Sequence, residues 1–278
     1  MNLRIQHVPD PAGFARMSTR EIRQCFLLQH LFEPGQVRMH YSDLDRAAVG
    51  GAVPCAGTLV LEAPDDLASD CFTRRREVGV VNIGGAGLVR VNGTPYVLEH
   101  RDALYIGRES APVEFESSGG AEAPIFYFVS YPAHSSHPTK RVRREEAEAT
   151  SLGGVTGANG RTIRKYIHDG AVEACQLTLG ITDLHEGSVW NTMPAHRHLR
   201  RSEIYLYFAL PTDAVVLHCL GEPQETRHVV VRNREAVLSP GWSVHLGAAT
   251  ARYSFVWAMG GENREFSDMD AVPMEELA

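Results

Sequence analysis

From residue 37 onward the chain never holds a helical period. Apolar residues come in short runs at 37–41, 58–62, 78–83, 87–91, 96–98, 103–106, 113–115 and 125–129, separated by Gly, Pro, Asn and Asp. The rhythm resumes at 164–167, 175–181, 189–192, 203–208, 214–220, 227–231, 236–238, 243–246 and 253–259. Runs of this length between turn residues read as strands, and many of them predict an all-β sandwich or small barrel. Asn92 and Gly93 between two runs predict a hairpin. The one helical stretch lies near the start. Ser18 is placed to cap it, Glu21 follows three residues later, and Met17 can staple onto Ile22. Ile22, Cys25, Phe26 and the apolar residues after them predict a helix over 19–31, ended by Pro34 and Gly35.

Residues 138–160 are polar and then glycine-rich, a composition that predicts a linker between domains at 1–137 and 161–278. The two halves look related. R-D-A-L-Y-I-G at 101–107 parallels R-E-A-V-L-S-P-G at 234–241, and R-R-E at 75–77 parallels R-S-E at 201–203. Such a repeat implies two copies of one β-unit. On that register Asp70 and Phe72 fall where His196 and His198 are, and Ala111 where His245 is. One half is expected to be active and the other structural. The acidic tail, 262–278, is expected to drape over the surface or a neighbour.

Candidate chemistry concentrates in P-A-H-R-H-L-R-R-S-E-I-Y-L-Y at 194–207. His196 and His198 share a face if the segment is extended, because side chains alternate along a strand. Glu203 has the opposite parity, so a bend or bulge near Arg200 and Arg201 is required to bring it back. Downstream, Pro240 and Gly241 make a turn into a strand carrying His245. Three imidazoles and one carboxylate in two spaced motifs point to a single divalent metal. These ligand types suit zinc, and Mn, Fe or Ni equally. Tyr205 and Tyr207 share parity with Glu203 and are the pocket-lining candidates, with Tyr207 put forward as the proton carrier. Trp257 and Met259 are candidates for an apolar wall.

Net charge is −7 and the short basic run at 140–144 is followed at once by two glutamates, so no nucleic-acid partner is expected. Five cysteines without a C-x-x-C pair fit a reducing compartment. The N-terminus lacks a signal-like apolar core and no 18-residue apolar run occurs, so the expectation is a cytoplasmic protein without a membrane partner.

The H-x-H-x4-E element followed by a Pro-Gly turn and a histidine resembles the two metal motifs of the cupin superfamily. The likeness extends further. T-R-E-I-R at 19–23, Y-S-D-L-D-R at 41–46, G-G-A-V-P at 50–54, V-W-N-T-M-P-A-H-R-H at 189–198 and E-F-S-D-M-D at 265–270 resemble the 4-deoxy-L-threo-5-hexosulose-uronate ketol-isomerase family. The resemblance implies a bicupin: two related jelly-roll barrels with a short N-terminal helix. It also implies one zinc per chain on His196, His198, Glu203 and His245, and a homo-oligomer, often a hexamer. The implied reaction turns 5-dehydro-4-deoxy-D-glucuronate into 3-deoxy-D-glycero-2,5-hexodiulosonate in pectin breakdown. Lys165, Arg200 and Arg201 are then candidates for the substrate carboxylate, since basic side chains pair with carboxylates. Two other readings use the same four ligands: an iron-dependent cupin dioxygenase, and a non-enzymatic sugar-binding bicupin.

Overall fold

The structure is a computed structural model and describes residues 3–278. Its regular structure is mostly β-strand with few helices, as the apolar rhythm predicts. Two compact units divide the chain. The first comprises residues 3–5, His30–Ala147 and Tyr166–Thr178; the second comprises Gln6–Gln29, Glu148–Lys165 and Leu179–Ala278. Residues 138–160, expected as a linker, carry the strands Lys140–Val142 and Glu148–Leu152.

Each unit pairs a seven-stranded sheet with a four-stranded one. The expectation of closed barrels is corrected: within each unit the two sheets stay separate in their hydrogen bonding. What joins them is side-chain burial between the facing sheets. In the first unit Val78, Val80, Leu104, Phe126 and Phe128 of the large sheet share a core with Val89, Val91, Val113 and Phe115 of the small one. In the second, Tyr205, Tyr207, Phe255 and Trp257 share a core with Val216, Leu220, Val229 and Val231. Alternate residues of each strand point to this inner face, and the central strands Arg76–Asn82 and Arg201–Phe208 are buried on both faces.

Strand order repeats between the two units, which supports the internal repeat, but the register of the repeat shifts by one residue. Gly50 pairs with Phe128 and Phe128 with Val80. Trp257 pairs with Tyr205. Gly50 and Gly180 each lack the Cβ that would collide with the ring of Phe128 or Trp257, so they are equivalent positions. Two residues back along the central strand, Val78 therefore answers to Glu203, and Arg76 to Arg201. Glu77 has the opposite parity. Its carboxylate accepts from the Tyr105 hydroxyl at 2.8 Å and from the backbone N–H groups of Cys175, Gln176 and Leu177 at 2.6, 2.7 and 2.8 Å. Four donors satisfy a buried charge, and they fasten the segment Tyr166–Thr178 into the first unit.

The N-terminal helix is shorter than its apolar run. It spans Thr19–Phe26 with the expected Ser18–Glu21 capping box. Leu27 and Leu28 leave the helix to pair with Val237 and Ala236, completing the large sheet of the second unit. Sheet pairing of a buried backbone outcompetes one more helical turn here. No helix among the described residues is long and apolar enough to cross a membrane.

Candidate metal centre

All four expected metal donors meet in the second unit. His196, His198, Glu203 and His245 each offer one donor atom, and these atoms lie within 4.8 Å of one another. Glu203 Oε2 is 3.0 Å from His198 Nε2 and 3.0 Å from His245 Nε2; the Nε2 atoms of His245 and His196 are 3.2 Å apart. His198, Glu203 and His245 are buried. Among the described residues no other group of three or more such side chains could hold a metal.

Local structure explains the convergence. His196 sits on the short strand His196–Arg197, which pairs with Asp270–Ala271 instead of joining either sheet. A turn at Leu199 and Arg200, closed by Arg201 N–H donating to His198 O at 3.0 Å, reverses the chain. The strand Arg201–Phe208 then points Glu203 inward. That turn is the bend the parity of Glu203 required. Gly241 lies against it: a Cβ there would stand 2.6 Å from His198 O and 3.0 Å from Arg201 O. The glycine of the Pro-Gly turn thus admits the loop that carries His198.

Partners on the far side of the His198 and His245 rings fix which nitrogen faces the cluster. His198 Nδ1 is 2.9 Å from Asp268 O, and His245 Nδ1 is 3.2 Å from Ser239 Oγ. With Nδ1 engaged, Nε2 is the atom turned inward, an arrangement typical of metal-binding imidazoles. Burial, with His245 next, pushes the His196 pKa down to about 3, so its ring is neutral and keeps a lone pair. Burial alone would raise the Glu203 carboxyl, but His245 and His198 outweigh it and hold the pKa well below the usual range. A neutral imidazole at His196 and an ionised carboxylate at Glu203 suit a divalent cation.

A cavity of about 370 Å³ opens beside the donors. Tyr205, Trp257 and Met259 line it, as expected. Tyr207 does not. It is fully buried, with its hydroxyl 2.7 Å from His218 Nδ1. The Tyr205 hydroxyl is 3.2 Å from Thr192 Oγ1, and its pKa is raised well above the ordinary value by burial first and Glu203 second. Lys165, Arg200 and Arg201 also lie off the cavity wall, Arg201 donating to the Asp268 carbonyl. Lys165 Nζ pairs with Glu148 at 2.5 Å and lies over the Phe266 ring. Arg200 grips Asp268 and Asp270, both contacts within 2.9 Å.

Two contributions escaped the sequence reading. Arg161 lines the cavity, although the strand it opens, Arg161–Ile167, was expected to begin at 164. The C-terminal tail supplies Phe266, Ser267, Met269 and Ala271 to the wall and the Asp268 carbonyl to His198. The E-F-S-D-M-D motif is the available signal for the second; the acidic character of the tail suggests instead a segment draped over the surface or a neighbour.

The KduI/IolB family model matches residues 26–275. A protein of Caldicellulosiruptor bescii named 4-deoxy-L-threo-5-hexosulose-uronate ketol-isomerase is 46% identical over 275 residues, covering 99% of this chain and 100% of its own. A protein of the same name from Halalkalibacterium halodurans is 48% identical over 272 residues, covering 98% and 99%. Among solved structures, an IolB-like protein of Salmonella typhimurium LT2 superposes with a TM-score of 0.70 at 15% identity, over 89% of this chain and 96% of that one. Oxalate decarboxylase of Lactobacillus farciminis reaches 0.57 at 8% identity, over 81% and 79%. At those identities the two structures speak to the fold alone.

Proposed function

Because this chain belongs to the KduI/IolB family, we propose that it is a metal-dependent ketol-isomerase. The substrate in this reading is 5-dehydro-4-deoxy-D-glucuronate and the product 3-deoxy-D-glycero-2,5-hexodiulosonate, within pectin and uronate breakdown. The observation that carries it is the likeness of 46–48% over nearly the whole length to relatives bearing that activity in their names. The same reading makes the two units cupins, with the second as the metal-binding one. It places the protein in the cytoplasm as a homo-oligomer, in keeping with five cysteines outside any disulfide and an exposed edge strand at Glu148–Leu152.

His196, His198, Glu203 and His245 would hold the metal, with zinc as the first candidate and Mn, Fe or Ni compatible with the same donors. A divalent cation there supplies Lewis acidity toward the two adjacent oxygens of an aldose or ketose. The chain's own groups do the rest. The isomerisation takes a proton from C2 and returns one to C1, with negative charge building on the neighbouring oxygens between those events. Tyr205 faces the cavity with a raised pKa, so it stays protonated and can donate a hydrogen bond to such an oxygen. Tyr207, first put forward as the proton carrier, acts in this reading behind Tyr205, through packing and its bond to His218. The apolar rings of Phe255, Trp257 and Phe266 keep water from the reacting carbons.

The test is aldose–ketose conversion of the deoxyhexosulose uronate before and after chelation, with metal analysis and oxygen uptake measured on the same samples. Conversion lost on chelation and restored by one metal ion per chain, without oxygen uptake, is expected. Conversion that survives complete metal removal sinks the metal-dependent reading, and oxygen uptake would turn it toward a dioxygenase.

A further inference from the structure

One charged side chain on the cavity wall has no role in the reaction described so far. Arg161 pairs with Leu152 at the start of its strand and shares a face with Ile163; both Arg161 and Ile163 line the cavity. Apart from the metal donors His196, His198 and Glu203, it is the only charged group among the described residues of a wall otherwise built from residues such as Ile163, Phe255, Trp257, Met259 and Phe266. Its Nη1 donates to Asn159 O at 2.9 Å, which leaves most of its donors unengaged, and it pairs with no carboxylate among the described residues. A half-buried guanidinium without a counter-ion is an unfavourable arrangement unless an anion completes it. Burial accordingly draws its pKa down. The other basic candidates are engaged: Lys165 by Glu148, Arg200 by Asp268 and Asp270.

We propose that Arg161 is the carboxylate anchor of this cavity, holding the acid end of an open-chain uronate while its C1 and C2 oxygens face the four metal donors. This rests on the ketol-isomerase reading. The carboxylate stands at the end of a six-carbon chain opposite the reacting carbons, so it keeps its charge and surroundings throughout the reaction. An anchor on it binds ground state and transition state alike, and its removal raises KM and leaves kcat nearly unchanged. A planar guanidinium offers two parallel N–H donors to a carboxylate, whereas a lysine offers a point charge. An arginine in this place also selects uronates over neutral deoxyhexosuloses, because the neutral sugar leaves the guanidinium unpaired.

The experiment compares the metal-loaded full chain with Arg161→Met and Arg161→Lys on two sugars: the uronate, and its neutral counterpart with a hydroxymethyl group in place of the carboxylate. Arg161→Met is expected to raise KM for the uronate about 10- to 100-fold, with kcat within a few-fold and metal content unchanged, and to erase the preference for the acid. Arg161→Lys is expected to fall between the two, and it carries the test if the methionine variant does not fold. An unchanged KM, or a preference for the acid that persists in the variants, overturns the anchor. Calorimetric binding of the uronate separates the two readings. Binding that weakens with Arg161→Met in a protein that does not isomerise keeps the anchor and removes the reaction; equal affinity in a working isomerase removes the anchor.

Discussion

The main-chain oxygen of Asp268 lies 2.9 Å from Nδ1 of His198, so a residue near the C-terminus decides how a metal-donor ring seventy positions earlier is turned. The same oxygen accepts from Arg201 Nη2 at 2.6 Å, and the Asp268 carboxylate is held by Arg200. Arg200, first considered for substrate, is thus a clamp on the segment that orients His198. Arg200→Ala is expected to lower metal affinity about 10- to 100-fold, the usual loss when a group supporting a metal ligand is removed. Competition with a chromogenic chelator measures it; unchanged affinity would refute the clamp.

Glu203 is the one carboxylate among the four donors, and its Oε2 lies 3.0 Å from each of the inward nitrogens of His198 and His245. Glu203→Gln keeps the shape and removes the charge that a divalent cation requires. Loss of stoichiometric metal and a fall in isomerase activity of at least about 100-fold are expected. Metal analysis after gel filtration and the isomerase assay check both.

The two tyrosines should separate cleanly. Tyr205→Phe removes a hydroxyl that faces the cavity, and kcat is expected to fall about 100-fold with metal retained. Tyr207→Phe leaves His218 without its one hydrogen bond, since His218 Nε2 already has no partner among the described residues. That variant is expected to lose about 1–3 kcal/mol of stability with its rate within a few-fold of the parent. A large rate loss in Tyr207→Phe would return that residue to the chemistry.

Gly241→Ala places a methyl against the carbonyls of His198 and Arg201. Overpacking of that kind is expected to destabilise by about 1–3 kcal/mol and to weaken metal binding together with it. Urea denaturation with and without added metal would reveal both effects.

His218 gives a pH dependence. Burial, followed by the influence of His245, pushes its pKa down to about 3 in the folded chain, against about 6.5 when unfolded. Between those values the unfolded chain binds a proton that the folded chain does not. Stability is therefore intact above about pH 6.5 and declines as pH falls toward 3, by about 1.4 kcal/mol per pH unit for this group. Urea midpoints of the metal-free protein from pH 7 to 4 should decline less steeply in His218→Gln; parallel slopes would remove His218 from the account.

Strand periodicity, turn residues and the Ser18–Glu21 capping box were legible because each is a local matter of a few adjacent residues. The four metal donors were legible for another reason: only a few side chains bind divalent ions, and two spaced motifs held four of them. What stayed hidden depended on partners far away in the chain. R-R-E and R-S-E look aligned, yet Glu77 faces away from the core and Val78 holds the place of Glu203, because register is set by cross-strand pairing.

The sequence by itself determined that this is a β-protein of two related halves with one metal-competent cluster, because alternation and ligand chemistry are written residue by residue. Only the tertiary structure decided that Leu27 and Leu28 close a sheet with Val237 and Ala236, and that the acidic tail forms a wall of the cavity. It alone also left Arg161 without a carboxylate among the described residues while Lys165 and Arg200 met theirs. Which cation faces a cavity depends on which carboxylates the fold brings within reach of it, and no property of a basic residue or its neighbours in the chain carries that information.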